Sequence, residues 1–208
     1  MIIRHPFVEP VNDFFYHKYN ESHRFYHKMS HIRDMFAIAF YQNMKLSDEQ
    51  IAAILFHDIY YDIPCKNDDN EERSGEYAYC IMGNYHNFTE DQCNLTKNII
   101  LDTKTHEPIY GAPESEAVID LDLWFLFDIK EYKKNLLLIR KEYIIYDWEV
   151  FSPNRKYWLE KMLIRDTIYV SEYSNKEMNM LARKNIEAEL DVIENNDDWL
   201  YFCHTPKR

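Results

Sequence analysis

The sequence predicts an all-α fold, a single-domain helical bundle over residues 1–208, and three observations carry that prediction. Apolar residues recur at helical spacing through most of the chain. Ser/Thr-x-x-Gln/Glu stretches mark helix starts. Period-2 alternation flanked by turn residues, the mark of a half-buried strand, is absent.

Taken in order, a short opening segment from Val11 to Tyr19 precedes a helix predicted from about Ser22 to Asn43. Met29, Ile32, Phe36, Ala39 and Phe40 give it helical spacing, and Arg24, His27 and His31 would share its polar face. Ser47-Asp48-Glu49-Gln50 is a capping box, in which each end residue satisfies a free amide of the other. The helix it opens runs from about Asp48 into Tyr60 and is apolar on nearly every side, which makes it central. Pro64 and the polar run Lys66 to Asn70 form a loop, and a third helix, with Glu71, Glu72 and Ser74 near its start, spans about Asn70 to Asn84.

Thr89-Glu90-Asp91-Gln92 is a second capping box, opening a helix to about Thr103. Lys104 to Pro113 holds two prolines and a glycine and reads as a loop. Pro113-Glu114-Ser115-Glu116 suits a helix start, since proline and acids fit a first turn. That helix carries Val118, Ile119, Leu121, Leu123, Trp124 and Leu126, interrupted by Asp120 and Asp122. A long helix follows from about Lys130 to Tyr146. Ser152-Pro153-Asn154 predicts a break, with helix resuming from Arg155 to about Val170. Ser174-Asn175-Lys176-Glu177 reads as a third box, opening a last helix to about Glu194.

Composition narrows the function. The net charge of −12 repels a long nucleic acid, while a small anion remains compatible with locally concentrated positive groups or a metal. Only three glycines occur, at Gly75, Gly83 and Gly111, so a glycine-rich phosphate loop has no place. Cys65, Cys80, Cys93 and Cys203 lie far apart without C-x-x-C spacing and read as reduced thiols of a cytoplasmic protein, not a zinc finger. Met1 to Pro6 lacks the apolar stretch of a signal peptide, and no window approaches the roughly 18 apolar residues of a membrane span. Self-association into a homo-oligomer is compatible with all of this.

The most informative stretch is Ile54-Leu55-Phe56-His57-Asp58-Ile59-Tyr60-Tyr61-Asp62. Burying an ionised carboxylate is costly unless a partner compensates it, and a bound cation is the most economical partner for the His57-Asp58 pair. One histidine on an earlier helix and an aspartate at 120 or 122 on a later apolar helix would complete two imidazoles and two carboxylates. Such a mixed N/O set suits one divalent ion, Mn²⁺, Co²⁺, Fe²⁺ or Zn²⁺, better than Mg²⁺.

The segments Arg24-Phe25-Tyr26-His27-Lys28-Met29-Ser30-His31, Phe56-His57-Asp58, Asn70-Glu71-Glu72-Arg73-Ser74, Asp120-Leu121-Asp122-Leu123 and Arg140-Lys141-Glu142-Tyr143 resemble the HD-domain superfamily. More narrowly, the chain resembles its metal-dependent phosphohydrolases, over about residues 12 to 195. The resemblance implies an HD-type helical bundle with core motifs over about residues 22–126 and C-terminal helices over about 130–195 closing the pocket. It implies a metal held by His31, His57, Asp58 and Asp122, with Asp120 as the alternative fourth ligand.

The substrate implied is a small phosphate ester, a nucleotide above all. Asp62 or Glu71 would orient or deprotonate the attacking water, and Arg24 would neutralise developing phosphate charge. His27, Lys28, Arg140 and Tyr143 would join Arg24 in binding substrate. His86 and His106 are not plainly matched to the extra histidines of multi-metal members, which weighs against an oxygen-activating dinuclear iron enzyme. A catalytically silent nucleotide-binding or regulatory protein on the same fold is the alternative.

Overall fold

The computed structural model describes residues 5–195 and 199–204, and among these every regular element is helical. The chain divides into two units, Met1–Asp122 and Leu123–Arg208. No helix in the described residues is long and apolar enough to cross a membrane.

The first unit opens with a 3-10 helix, Pro6–Val11, and α1, Asn12–Lys18. Then come α2, Met29–Tyr41; α3, Asp48–Phe56; α4, Asn70–Tyr85; α5, Glu90–Thr105; and α6, Ser115–Asp122. The capping boxes at Ser47 and Thr89 form both of their reciprocal hydrogen bonds. Ala52 through Phe56 are wholly buried, and α3 packs against α2, α4, α5 and α6. It is the central helix that its all-round apolar surface predicts.

Two expectations in this unit are corrected. The helix forecast from Ser22 begins only at Met29, so Arg24 and His27 lie in an irregular segment and share no helix face with His31. Residues 21–28 give their hydrogen bonds to tight turns, such as Arg24 N–H to Glu21 O and Lys28 N–H to Tyr26 O, while Arg24 and Tyr26 are buried. Tertiary burial overrides helix propensity here. The central helix also stops at Phe56 rather than Tyr60, leaving His57 as its C-cap.

Asp102 fixes the loop between α5 and α6. Its buried carboxylate accepts the N–H groups of Ile109 (3.1 Å), Tyr110 (2.9 Å) and Gly111 (2.9 Å) and the hydroxyl of Ser115 (2.5 Å). Gly111 fits where it does because a β-carbon would stand 2.5 Å from Ser115 Oγ.

The second unit begins with a 3-10 turn, Trp124–Leu126, followed by α7, Ile129–Glu142; α8, Trp148–Ile164; α9, Lys176–Glu194; and α10, Trp199–His204. Its centre is the buried Glu189, which accepts from Tyr132 Oη (2.5 Å), Arg155 Nε (3.0 Å), Arg155 Nη2 (2.9 Å) and Trp199 Nε1 (3.0 Å). Arg183 donates to the carbonyls of Leu163, Arg165 and Asp166, and Asn185 to those of Leu126 and Phe127, so both tie helices together.

Pro153 does not break the chain and lies inside α8. It sits in the second turn, where its missing N–H orphans only the carbonyl of the exposed Glu149, which water can satisfy. The last long helix is capped by Asn175, whose Oδ1 accepts from Met178 N–H at 3.0 Å, and not by Ser174, which donates to Ser171 O.

Replacing Asp102 with alanine strands the Gly111 amide and the Ser115 hydroxyl in the interior and leaves the part-buried amides of Ile109 and Tyr110 without their acceptor. At about 1–3 kcal/mol for each buried unsatisfied group, Asp102→Ala is expected to destabilise the protein by about 3 kcal/mol or more in urea unfolding. A loss below about 1 kcal/mol would refute the loop-anchoring role.

Candidate metal centre

Helix ends build the site. His31 stands in the first turn of α2, His57 caps α3 with Asp58 next to it, and Glu71 lies in the first turn of α4. His106 caps α5, and Asp122 is the last residue of α6. All belong to the first unit.

Backbone accounting at the end of α3 shows how the pair is placed. The last carbonyls of a helix need partners, and here they are buried away from water. Ala53 O accepts from His57 N–H, Ile54 O from the His57 ring at Nδ1 (3.0 Å), and Leu55 O from Tyr19 Oη (2.8 Å). Phe56 O accepts from Ile59 N–H.

The carbonyls of Asp58 and Ile59 take the two arms of Arg24, Nη1 at 2.5 Å and Nη2 at 3.1 Å. Arg24 also donates from Nη1 to His27 O (3.3 Å) and from Nε to Glu21 (3.1 Å), and it packs on the Tyr19 and Tyr61 rings. Its side chain is fully buried.

His31, His57 and Asp58 converge so that one ligand atom of each lies within 4.8 Å of the other two. His57 Nε2 is 3.0 Å and His31 Nε2 3.9 Å from Asp58 Oδ2. His31 Nε2, His57 Nε2 and Asp58 Oδ2 are all buried and have no partner beyond such imidazole–carboxylate approaches. With Nδ1 donating to Ile54 O, the His57 ring turns Nε2 to the carboxylate, where it carries a proton in the metal-free protein and offers a lone pair once that proton is displaced. Buried polar atoms rarely stay unsatisfied, and lone pairs this close repel unless a proton or a metal ion lies between them. A divalent ion fits the donor set, two imidazole nitrogens and carboxylate oxygen, and the bond of His57 Nδ1 to a backbone carbonyl is the usual support for a metal-binding imidazole.

Asp122 adjoins the group, with Oδ1 2.9 Å from His31 Nε2 and Oδ2 3.2 Å from His106 Nε2. Asp122, and not the wholly buried Asp120, is therefore the carboxylate brought to His31. His106 is the residue that sequence reasoning passed over. Its only local signal is a histidine just past a helix end, where its φ of 54° is left-handed. His86 instead packs against Phe7.

Burial alone would lower the His57 pKa, but the charge of Asp58 outweighs it and raises the imidazole to about 9. Burial would raise Asp58, and the facing His57 and His27 hold it well below the usual carboxylate range. Asp122 likewise stays low against its burial because His106 and His31 face it. Glu71 moves the other way, its carboxyl raised by burial and by the negative charge of Asp58.

The remaining predicted residues are placed as follows. Asp62 is half exposed and gives its carboxylate to Arg73 at 2.6 Å, which lowers its pKa. His27 stacks on Tyr61 at 3.9 Å, and Lys28 is the N-cap residue of α2. Arg24 is spent on backbone carbonyls rather than turned to a substrate. Arg140 and Tyr143 belong to the second unit, where Arg140 donates to the carbonyls of Tyr143 (2.9 Å) and Tyr146 (3.1 Å) and covers Phe151.

No family model matches the chain, and neither a curated protein nor a solved structure matches it.

Two outcomes are expected. A metal ion has to displace the proton that a pKa of about 9 keeps on His57 at neutral pH. Affinity for Co²⁺ should therefore tighten as pH rises towards 9, by about tenfold per unit for one displaced proton. Calorimetry in buffers of different ionisation enthalpy reads the released proton, and a pH-independent affinity would contradict the arrangement. Separately, Arg24→Lys cannot reproduce a planar fork of donors. It should lower both unfolding stability, by about 2 kcal/mol or more, and Co²⁺ affinity; a variant with wild-type stability would show the clamp to be dispensable.

Proposed function

We propose that the protein is a metal-dependent phosphohydrolase acting on a nucleotide or similar small phosphate ester, built on an HD-type helical arrangement. The observation that carries the reading is the convergence of three buried ligand atoms from His31, His57 and Asp58, with Asp122 adjoining. Bound there, a divalent cation would polarise a phosphoryl oxygen and acidify water for in-line attack.

The chain's own residues supply the rest. Glu71, with a raised pKa near Asp58, is suited to take a proton from water, a step in which a base poised towards neutrality is most effective. Asp62, held down by Arg73, is a weaker base. Arg24 serves as a scaffold, so Lys28, three residues before His31, is the cation of that segment left to face phosphate, alongside His27.

A catalytically silent nucleotide-binding or regulatory protein is the second reading. It is favoured by one observation, the commitment of Arg24 to backbone carbonyls, which removes the cation first in line to stabilise a phosphoryl transition state.

Phosphate release from a panel of nucleotides with added Mn²⁺, Co²⁺ or Mg²⁺ separates the two. Under the hydrolase reading, Asp58→Ala loses metal and turnover together. Glu71→Gln keeps the metal and loses about 10²-fold or more in kcat. Turnover surviving in Asp58→Ala would end the hydrolase reading, and nucleotide binding without phosphate release would favour the silent one.

A further inference from the structure

Asp122 is gripped from two sides, and only one of those contacts belongs to the converging ligand atoms. His31 Nε2 meets Oδ1 at 2.9 Å, while His106 Nε2 meets Oδ2 at 3.2 Å. His106 is not part of the mutually close set, which comprises His31, His57 and Asp58. Asp122 is the last residue of α6, and these two imidazoles hold its two carboxylate oxygens.

The backbone around His106 is arranged at some cost. A left-handed φ of 54° at a helix end normally selects glycine or asparagine, because a β-carbon is strained there. A histidine in that position places an imidazole where a regular helix would not. Four residues earlier, Asp102 gathers the amides of Ile109 to Gly111 and the hydroxyl of Ser115, fixing the loop that joins His106 to the start of α6. One anchored loop therefore sets the positions of both His106 and the helix that carries Asp122.

From this geometry we propose that His106 is a positioning residue, whose Nε2–H donates to Asp122 Oδ2 and so turns Oδ1 towards His31 and the metal position. The inference rests on the metal reading of the site. Removing such an outer hydrogen bond to a ligand usually costs about 10- to 100-fold in metal affinity.

Cobalt titration of the full chain tests it, using wild type, His106→Ala and His106→Gln, with the visible Co²⁺ spectrum and thermal unfolding of the metal-free proteins recorded alongside. Wild type should bind one Co²⁺. His106→Ala should bind it about 10- to 100-fold more weakly with an altered spectrum, and His106→Gln, which retains an N–H donor, should recover most of the affinity and the spectrum. Metal-free unfolding should weaken in His106→Ala, which takes one partner from the buried Asp122 carboxylate, and recover in His106→Gln.

Equal affinity and spectrum in wild type and His106→Ala would overturn the role of His106 alone. A second Co²⁺ in wild type that His106→Ala loses would make the residue a ligand and overturn it too. Affinity lost together with folding, and not recovered by glutamine, would make it merely structural. Absence of any Co²⁺ binding by wild type would instead overturn the metal reading, and the positioning role with it.

Discussion

The C-terminal end of α3 lies inside the protein, and the Arg24 guanidinium makes that ending tolerable. A helix that stops in the interior leaves carbonyls that water would otherwise satisfy, each costing about 1–3 kcal/mol if left bare. Tyr19, the His57 ring and the forked Arg24 take those at Leu55, Ile54, Asp58 and Ile59 in turn. The same clamp fixes the backbone of Asp58, so its carboxylate faces His57 and His31 without help from its own helix. Ser74 and Asn70 then hold the following turn through the amides of Tyr60 and Asp62. This carries the constraint into α4, the helix that bears Glu71.

Charge in the site follows from this ending. A helix C-terminus favours a cation, which suits a protonated His57, and Asp58 strengthens that preference. The metal-free protein satisfies the convergence with protons, and a divalent ion would take their place. Both solutions answer one demand: two carboxylates and three imidazoles drawn from four helix ends cannot share a dry volume without positive charge among them.

Much of this was legible in the sequence, and the failures have a common cause. Ser47 and Thr89 could be read as caps because a capping box is complete within four residues. The all-helical class could be read because periodicity is local. His57 and Asp58 stood out as polar groups ending an apolar helix, His31 was singled out through the family resemblance, and the structure brings the three together. Arg24 and His27 were misplaced on a helix because their partners, the carbonyls of Asp58 and Ile59 and the Tyr61 ring, are over thirty residues away. Local spacing contains no trace of such contacts. Asp120 and Asp122 were indistinguishable for the same reason, since what separates them is His31 and His106. His106 itself depends on a left-handed helix cap that no periodicity announces.

The two acids weighed as the water-handling group show how partners, not residue type, assign chemistry. Asp62 and Glu71 are both acids near the His57-Asp58 turn, and by sequence either would serve. Arg73 lies 2.6 Å from Asp62 and stabilises its anion, while burial and the charge of Asp58 destabilise the anion of Glu71. A cation bound at Asp58 would cancel part of that second effect. Burial, the larger of the two, would persist, so Glu71 would remain the stronger base of the pair with the site filled.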